Sequence, residues 1–118
     1  MEAGQALSSP LGRITIASGA IAQIVAETAL ECYGVVGMKG SLRGRVARRR
    51  RGARGIEIGR DRDGAVTADL HVVVEYGLNL AEVASSVRNR VAYEVERLTG
   101  LPVLAVEVHV DAVRTSGK

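Results

Sequence analysis

The sequence predicts an α+β fold: a two-layer sandwich with two amphipathic helices on one face of a mostly antiparallel sheet of about four to five strands. Three observations carry this reading. Residues 65–76 alternate, with Val66, Ala68, Leu70, Val72, Val74 and Tyr76 on one face and Thr67, Asp69, His71, Val73 and Glu75 between them. Period two marks a strand with one buried face and one wet face. Leu80, Val83, Ala84, Val87, Val91, Val95 and Leu98 form one stripe at helical spacing, which needs a partner layer to cover it. The Ala-rich run 18–33 repeats that spacing through Ile21, Ile24, Val25, Thr28 and Ala29, giving a second helix for the same layer.

The elements follow in order. Residues 1–12 read as a flexible tail, rich in small and polar side chains. Residues 13–16 (RITI) form a short strand. Ser18 is a suitable N-cap for the first helix, and Gly34 a suitable terminator. Val35 and Val36 start a second strand, and residues 55–59 (GIEIG) a third. Asp61-Arg62-Asp63-Gly64 is a tight-turn sequence leading into the alternating strand. The second helix is capped near Asn79 and ends before Gly100, where Pro102 prevents its continuation. The last strand, 103–113, turns Leu104, Val106, Val108 and Val110 inward, and Glu107, His109 and Asp111 outward. The expected order is β-α-β-β-β-α-β. A single domain spans 13–113, with a basic loop at 39–54 and a tail at 114–118.

Composition narrows the function. The 118 residues include no Phe and no Trp, so aromatic surface for stacking bases or flat cofactors is scarce. One cysteine excludes an intramolecular disulfide. No apolar run approaches the roughly 20 residues that span a bilayer, and the N-terminus lacks the cationic and apolar regions of a secretory signal. The net charge of +3 conceals an asymmetry. Residues 39–54 hold eight of the sixteen basic side chains and no acid: Lys39, Arg43, Arg45, Arg48, Arg49, Arg50, Arg51 and Arg54. The rest of the chain carries eight basic against thirteen acidic residues, a net of −5.

No catalytic constellation emerges. Cys32 lies near a helix C-terminus, whose negative partial charge opposes thiolate formation, and it reads as a small packing residue. His71, His109 and Asp111 are weak candidates for a metal site. They lie on the polar faces of two strands beside Asp69 and Glu107 and would converge if those strands are neighbours. Exposed histidines among surface carboxylates are the commoner arrangement, so no metal and no cofactor is expected. Gly34-Val35-Val36-Gly37 has the Gly-x-x-Gly spacing of a nucleic-acid-clamping loop, but its valines bring no charge. The arginines Arg43, Arg45, Arg48, Arg49, Arg50, Arg51 and Arg54 suit phosphate, anionic lipid or an acidic protein tail. The charge run alone does not choose among them, and a solvated loop with no dedicated ligand has the same composition.

Five segments in order carry a resemblance. They are Gly12-Arg13-Ile14-Thr15-Ile16-Ala17 leading to Ile21, Ala22 and Ile24; residues 29–39 (ALECYGVVGMK); Gly55-Ile56-Glu57-Ile58 before residues 70–77 (LHVVVEYG); Val87, Arg90, Val91 and Val95 before Leu98-Thr99-Gly100-Leu101; and residues 106–113 (VEVHVDAV). Together they resemble the alkaline-shock, or general stress, protein family of Gram-positive bacteria. The tetra-arginine run is not part of the family's common pattern.

The resemblance implies a non-enzymatic, cytoplasmic protein of the envelope stress response. It implies an interaction scaffold at the inner face of the membrane that self-associates and is tethered by a small membrane-anchored partner or sister family members. An anionic lipid surface is a further partner that the basic loop suggests. A nucleic-acid-binding module using that loop is the alternative function.

Overall fold

The computed structural model describes residues 4–38 and 55–115. The elements are β1 (Gly4–Ser9), β2 (Gly12–Ala17), α1 (Ser18–Glu31), β3 (Val35–Met38), β4 (Ile56–Arg60), β5 (Val66–Glu75), α2 (Leu80–Thr99) and β6 (Val103–Arg114). The expected order is present, preceded by one further strand. Residues 4–9 are not a tail but β1, which pairs antiparallel with β2 from Gly4↔Ala17 to Ser9↔Gly12. Pro10 and Leu11 make the turn between them, and proline presets the backbone angle such a turn needs. The pair forms a sheet of its own, so β2 does not join the main sheet. The side chains of β2 are mostly exposed, Ile16 alone being partly buried against the core.

The main sheet is organised around β5. β3 pairs with the far half of β5 (Val35↔Val74 to Met38↔Val72) and β4 with its near half (Ile56↔Leu70 to Arg60↔Val66), both antiparallel. β3 and β4 therefore lie end to end along one edge of β5. β6 occupies the other edge in parallel, from Val66↔Val103 to Glu75↔Arg114. Parallel neighbours require a crossover, and α2 supplies it. Arg114, expected in a tail, is the last residue of β6.

Both helices pack on one face. β5 sends Val66, Ala68, Leu70, Val72 and Val74 into the core, with partly buried residues between. α1 contributes Ile21, Ala22, Val25, Ala26, Thr28 and Ala29, and α2 contributes Val83, Val87, Val91, Val95 and Thr99. Each fully buried Val, Leu or Ile stabilises by about 1.5–3 kcal/mol relative to exposure. The core is therefore sufficient without aromatic rings.

Local chemistry sets the helix ends. Asn79 caps α2 by accepting a hydrogen bond from the Glu82 amide at 3.0 Å. At the other end the Thr99 hydroxyl donates to the Val95 carbonyl at 2.6 Å and accepts from the Leu101 amide at 3.0 Å. Ser18 is not the cap of α1. That position is Ala17, with no side-chain capping bond. Ser18 is the first helical residue, and its Oγ accepts from Arg60 Nη2 at 2.7 Å. α1 ends at an extended Cys32, two residues before Gly34.

Four predicted core residues are outside. Leu80 is exposed at the first turn of α2. Tyr76 follows the end of β5 and is 69% exposed. Leu98 faces solvent from the rim of the α2 stripe. Leu104 is 60% exposed because Val66 pairs with Val103 while Thr67 pairs with Ala105. This bulge sets two residues of β6 against one of β5 and leaves Leu104 without a cross-strand partner.

Candidate functional site

The sheet face opposite the helices gathers the polar side chains of three strands. Alternation puts Thr67, Asp69, His71 and Val73 of β5 on this face, and register aligns their neighbours. Glu57, Asp69 and Glu107 are successive partners across β4, β5 and β6, so three carboxylates share one row. His71 and His109 are partners in the next row.

The geometry divides these groups into two neighbouring sets. His71 Nδ1 lies 3.1 Å from Asp111 Oδ2 and 3.2 Å from Oδ1. The His71 ring also stacks on His109, with centroids 4.5 Å apart and an interplanar angle of 14°. His109 Nε2 lies 4.0 Å from Asp69 Oδ1. One ligand atom from each of Asp69, Glu107 and His109 lies within 4.8 Å of the others. The sequence candidates His71, His109 and Asp111 are thus brought together, but not as one ligand set. Asp111 engages His71, whereas the compact group around His109 is completed by Asp69 and Glu107. Glu57 extends the acidic row, a placement that no local sequence feature signals.

The basic candidates Lys39, Arg43, Arg45, Arg48, Arg49, Arg50, Arg51 and Arg54 lie outside the described residues. The attachment of their segment is defined. Met38 pairs with Val72, and the His71 amide donates to the Gly55 carbonyl at 2.9 Å. The chain therefore leaves and rejoins the same sheet edge opposite His71.

On the helical side, Arg90 of α2 approaches Glu31 at 3.4 Å and Glu94 at 3.7 Å, while Arg97 bonds Glu94 at 2.8 Å. These partly exposed pairs flank a groove of about 470 Å³ between α1 and α2. The Cys32 thiol donates weakly to the Thr28 carbonyl at 3.4 Å. Burial pushes its pKa up; Arg90 opposes that shift and Glu31 adds to it. This is the environment of a packing thiol rather than an activated nucleophile. Among the described residues, no helix is long and apolar enough to cross a membrane.

One family model matches the chain across its folded body. The model of the alkaline-shock protein family, described as having a "cell envelope-related function", matches residues 6–115. The uncharacterized protein YloU of Bacillus subtilis (strain 168) is 31% identical over 115 residues, 93% of this chain and 95% of YloU. The uncharacterized protein Spy1614 of Streptococcus pyogenes serotype M6 is 29% identical over 112 residues, covering 91% of this chain and 92% of that one. Among solved structures, the copper form of the MamM CTD superposes with a TM-score of 0.57 at 15% identity, over 86% of this chain and 91% of that one. A zinc form of the MamM CTD carrying H264E gives a TM-score of 0.52 at 16% identity, over 81% and 86%. At these identities the likeness is one of fold.

Proposed function

The chain belongs to the alkaline-shock protein family, whose described function is cell envelope-related, and from that membership we propose a non-enzymatic interaction scaffold for envelope homeostasis under stress. In this reading the protein is cytoplasmic and peripheral at the inner face of the membrane. It is held there by a small membrane-anchored partner or by sister family members, and it self-associates.

The observation that carries the proposal is the family match across residues 6–115, which takes in the whole α+β body. Two structural features support a binding role. β6 pairs only with β5 among the described residues, so beyond Val103, whose amide donates to Glu96, its outer edge can accept a strand from a second chain. Leu104 and Val113 lie on that strand as exposed apolar side chains. The basic segment 39–54 adds a means of contacting anionic headgroups, each surface Lys or Arg contributing about 1 kcal/mol.

The test is affinity capture of the tagged chain from host lysate, with and without nuclease, read by mass spectrometry. Recovery of a membrane-anchored protein or a sister family member, indifferent to nuclease, is expected. Recovery of ribosomal and RNA-binding proteins that disappears with nuclease would overturn the scaffold reading in favour of nucleic-acid binding.

A further inference from the structure

We propose that Asp69, Glu107 and His109 form a binding site for a divalent first-row transition ion on the open face of the sheet, with His71 as its positioning residue.

The argument begins with the acidic row. Like charges directly opposite one another on paired strands are destabilising, yet Glu57, Asp69 and Glu107 follow each other across three strands in register. Among the described residues, no arginine or lysine forms an ion pair with any of the three. A bound cation offsets that repulsion. The histidine beside the row makes the cluster more than an acidic patch. The His109 imidazole and the Asp69 and Glu107 carboxylates supply a mixed nitrogen and oxygen set from adjacent positions of two strands, with ligand atoms within 4.8 Å of one another.

Metal–ligand bonds of about 2.0–2.2 Å require these atoms to draw closer together. The side chains can do so, because His109 and Asp69 are 44% and 45% exposed. Three protein ligands leave the remaining positions to water. One imidazole with two carboxylates suits zinc, copper or nickel better than calcium or magnesium.

His71 has a separate part. Its Nδ1 is held by Asp111 at 3.1 Å, and its ring lies flat against His109 at 4.5 Å. The stack fixes the plane of the His109 ring. It acts as a support to a ligating imidazole and does not compete for the ion.

The test is isothermal titration of the untagged full chain, stripped with chelator and dialysed, with zinc chloride in a non-coordinating buffer. One zinc per chain is expected. His109→Ala, Asp69→Asn and Glu107→Gln should each weaken binding at least 10-fold, and His71→Ala by about 10-fold, within the range typical of groups that orient a ligand. Glu31→Gln, on the helical face, should leave it unchanged. Circular dichroism establishes that each variant is folded, and histidine ring resonances that shift on zinc addition in the parent but not in His109→Ala give a second readout. The proposal is overturned by no stoichiometric binding to the parent, or by site variants that bind as the parent does.

Discussion

Replacing Gly34 with alanine puts the junction between α1 and β3 under a calculable load. Gly34 has φ +93°, and an added Cβ would stand 2.9 Å from Leu78 Cδ1, 3.0 Å from Val83 Cγ2 and 3.3 Å from Val83 Cγ1. Two costs add. A non-glycine residue at such a φ costs about 1–3 kcal/mol, and overpacking costs about 1–3 kcal/mol. The second cost is not readily relieved. Val83 is buried and β-branched, so its methyls cannot move without shifting α2. Leu78 yields more easily. A lower unfolded-state entropy returns about 0.4–1 kcal/mol, leaving a net loss of about 3 kcal/mol.

Urea unfolding followed by far-UV circular dichroism measures this loss. Two internal controls separate its parts. Gly77 has φ +102° but nothing within 4 Å of an added Cβ, so Gly77→Ala should show the backbone cost alone, about 1–3 kcal/mol. Gly19 lies in α1 with open space around it, so Gly19→Ala should stabilise by about 0.5–1 kcal/mol. Adding Val83→Ala to Gly34→Ala should recover part of the excess through a favourable coupling. If Gly34→Ala costs no more than Gly77→Ala, the packing argument fails.

Three further outcomes are expected. Asn79→Ala removes the side-chain acceptor of the Glu82 amide and should cost about 1 kcal/mol in the same unfolding assay. Val91→Ala deletes two methyl groups from a fully buried site and should cost about 2–3 kcal/mol, with a clear loss of thermal midpoint. Cys32 should react slowly with an alkylating reagent at neutral pH, because burial holds its thiol above the ordinary value of 9.0; Arg90→Ala should slow it further. Since the folded thiol ionises less readily than the unfolded one, its contribution to stability is complete below about pH 9 and declines as pH rises through the folded pKa. Cys32→Ala should flatten that alkaline decline in unfolding midpoints measured against pH.

The α+β class, the two helices and their shared face were legible because each depends on a short local period. Val83, Val87, Val91 and Val95 recur at helical spacing, and Val66 to Val74 alternate with polar residues except at Val73. The turn at Asp61 was legible for a similar reason: its side chain accepts from the amides of Asp63 and Ala65, at 3.0 and 2.8 Å, a pattern that aspartate favours in turns. What failed was what depends on pairing. β1 gains its order only by pairing with β2, so a segment of small polar residues looked like a tail. Leu104 fits the alternation of β6, and only the register with β5 reveals the bulge that turns it out. Ser18 suited a cap by residue type, but Arg60, 42 positions away, engages its hydroxyl.

The candidate site has the same history. Each strand announced its wet face, so His71, His109 and Asp111 could be named from alternation. Their grouping could not, because it depends on β5 and β6 being neighbours and on their parallel direction. Parallel pairing at this register makes Asp69 the partner of Glu107 and His71 the partner of His109. An antiparallel pair would have reversed the order along one strand and could not match both pairs at once. The crossover through α2 therefore does more than cover the core: by fixing the direction of β6 it assembles the carboxylate and imidazole rows. On the opposite edge, β3 and β4 pair with β5 independently, so the core-facing residues Met38 and Ile56 keep their places at Val72 and Leu70. The described chain leaves this edge at Met38 and rejoins it at Gly55, beside Val72 and His71.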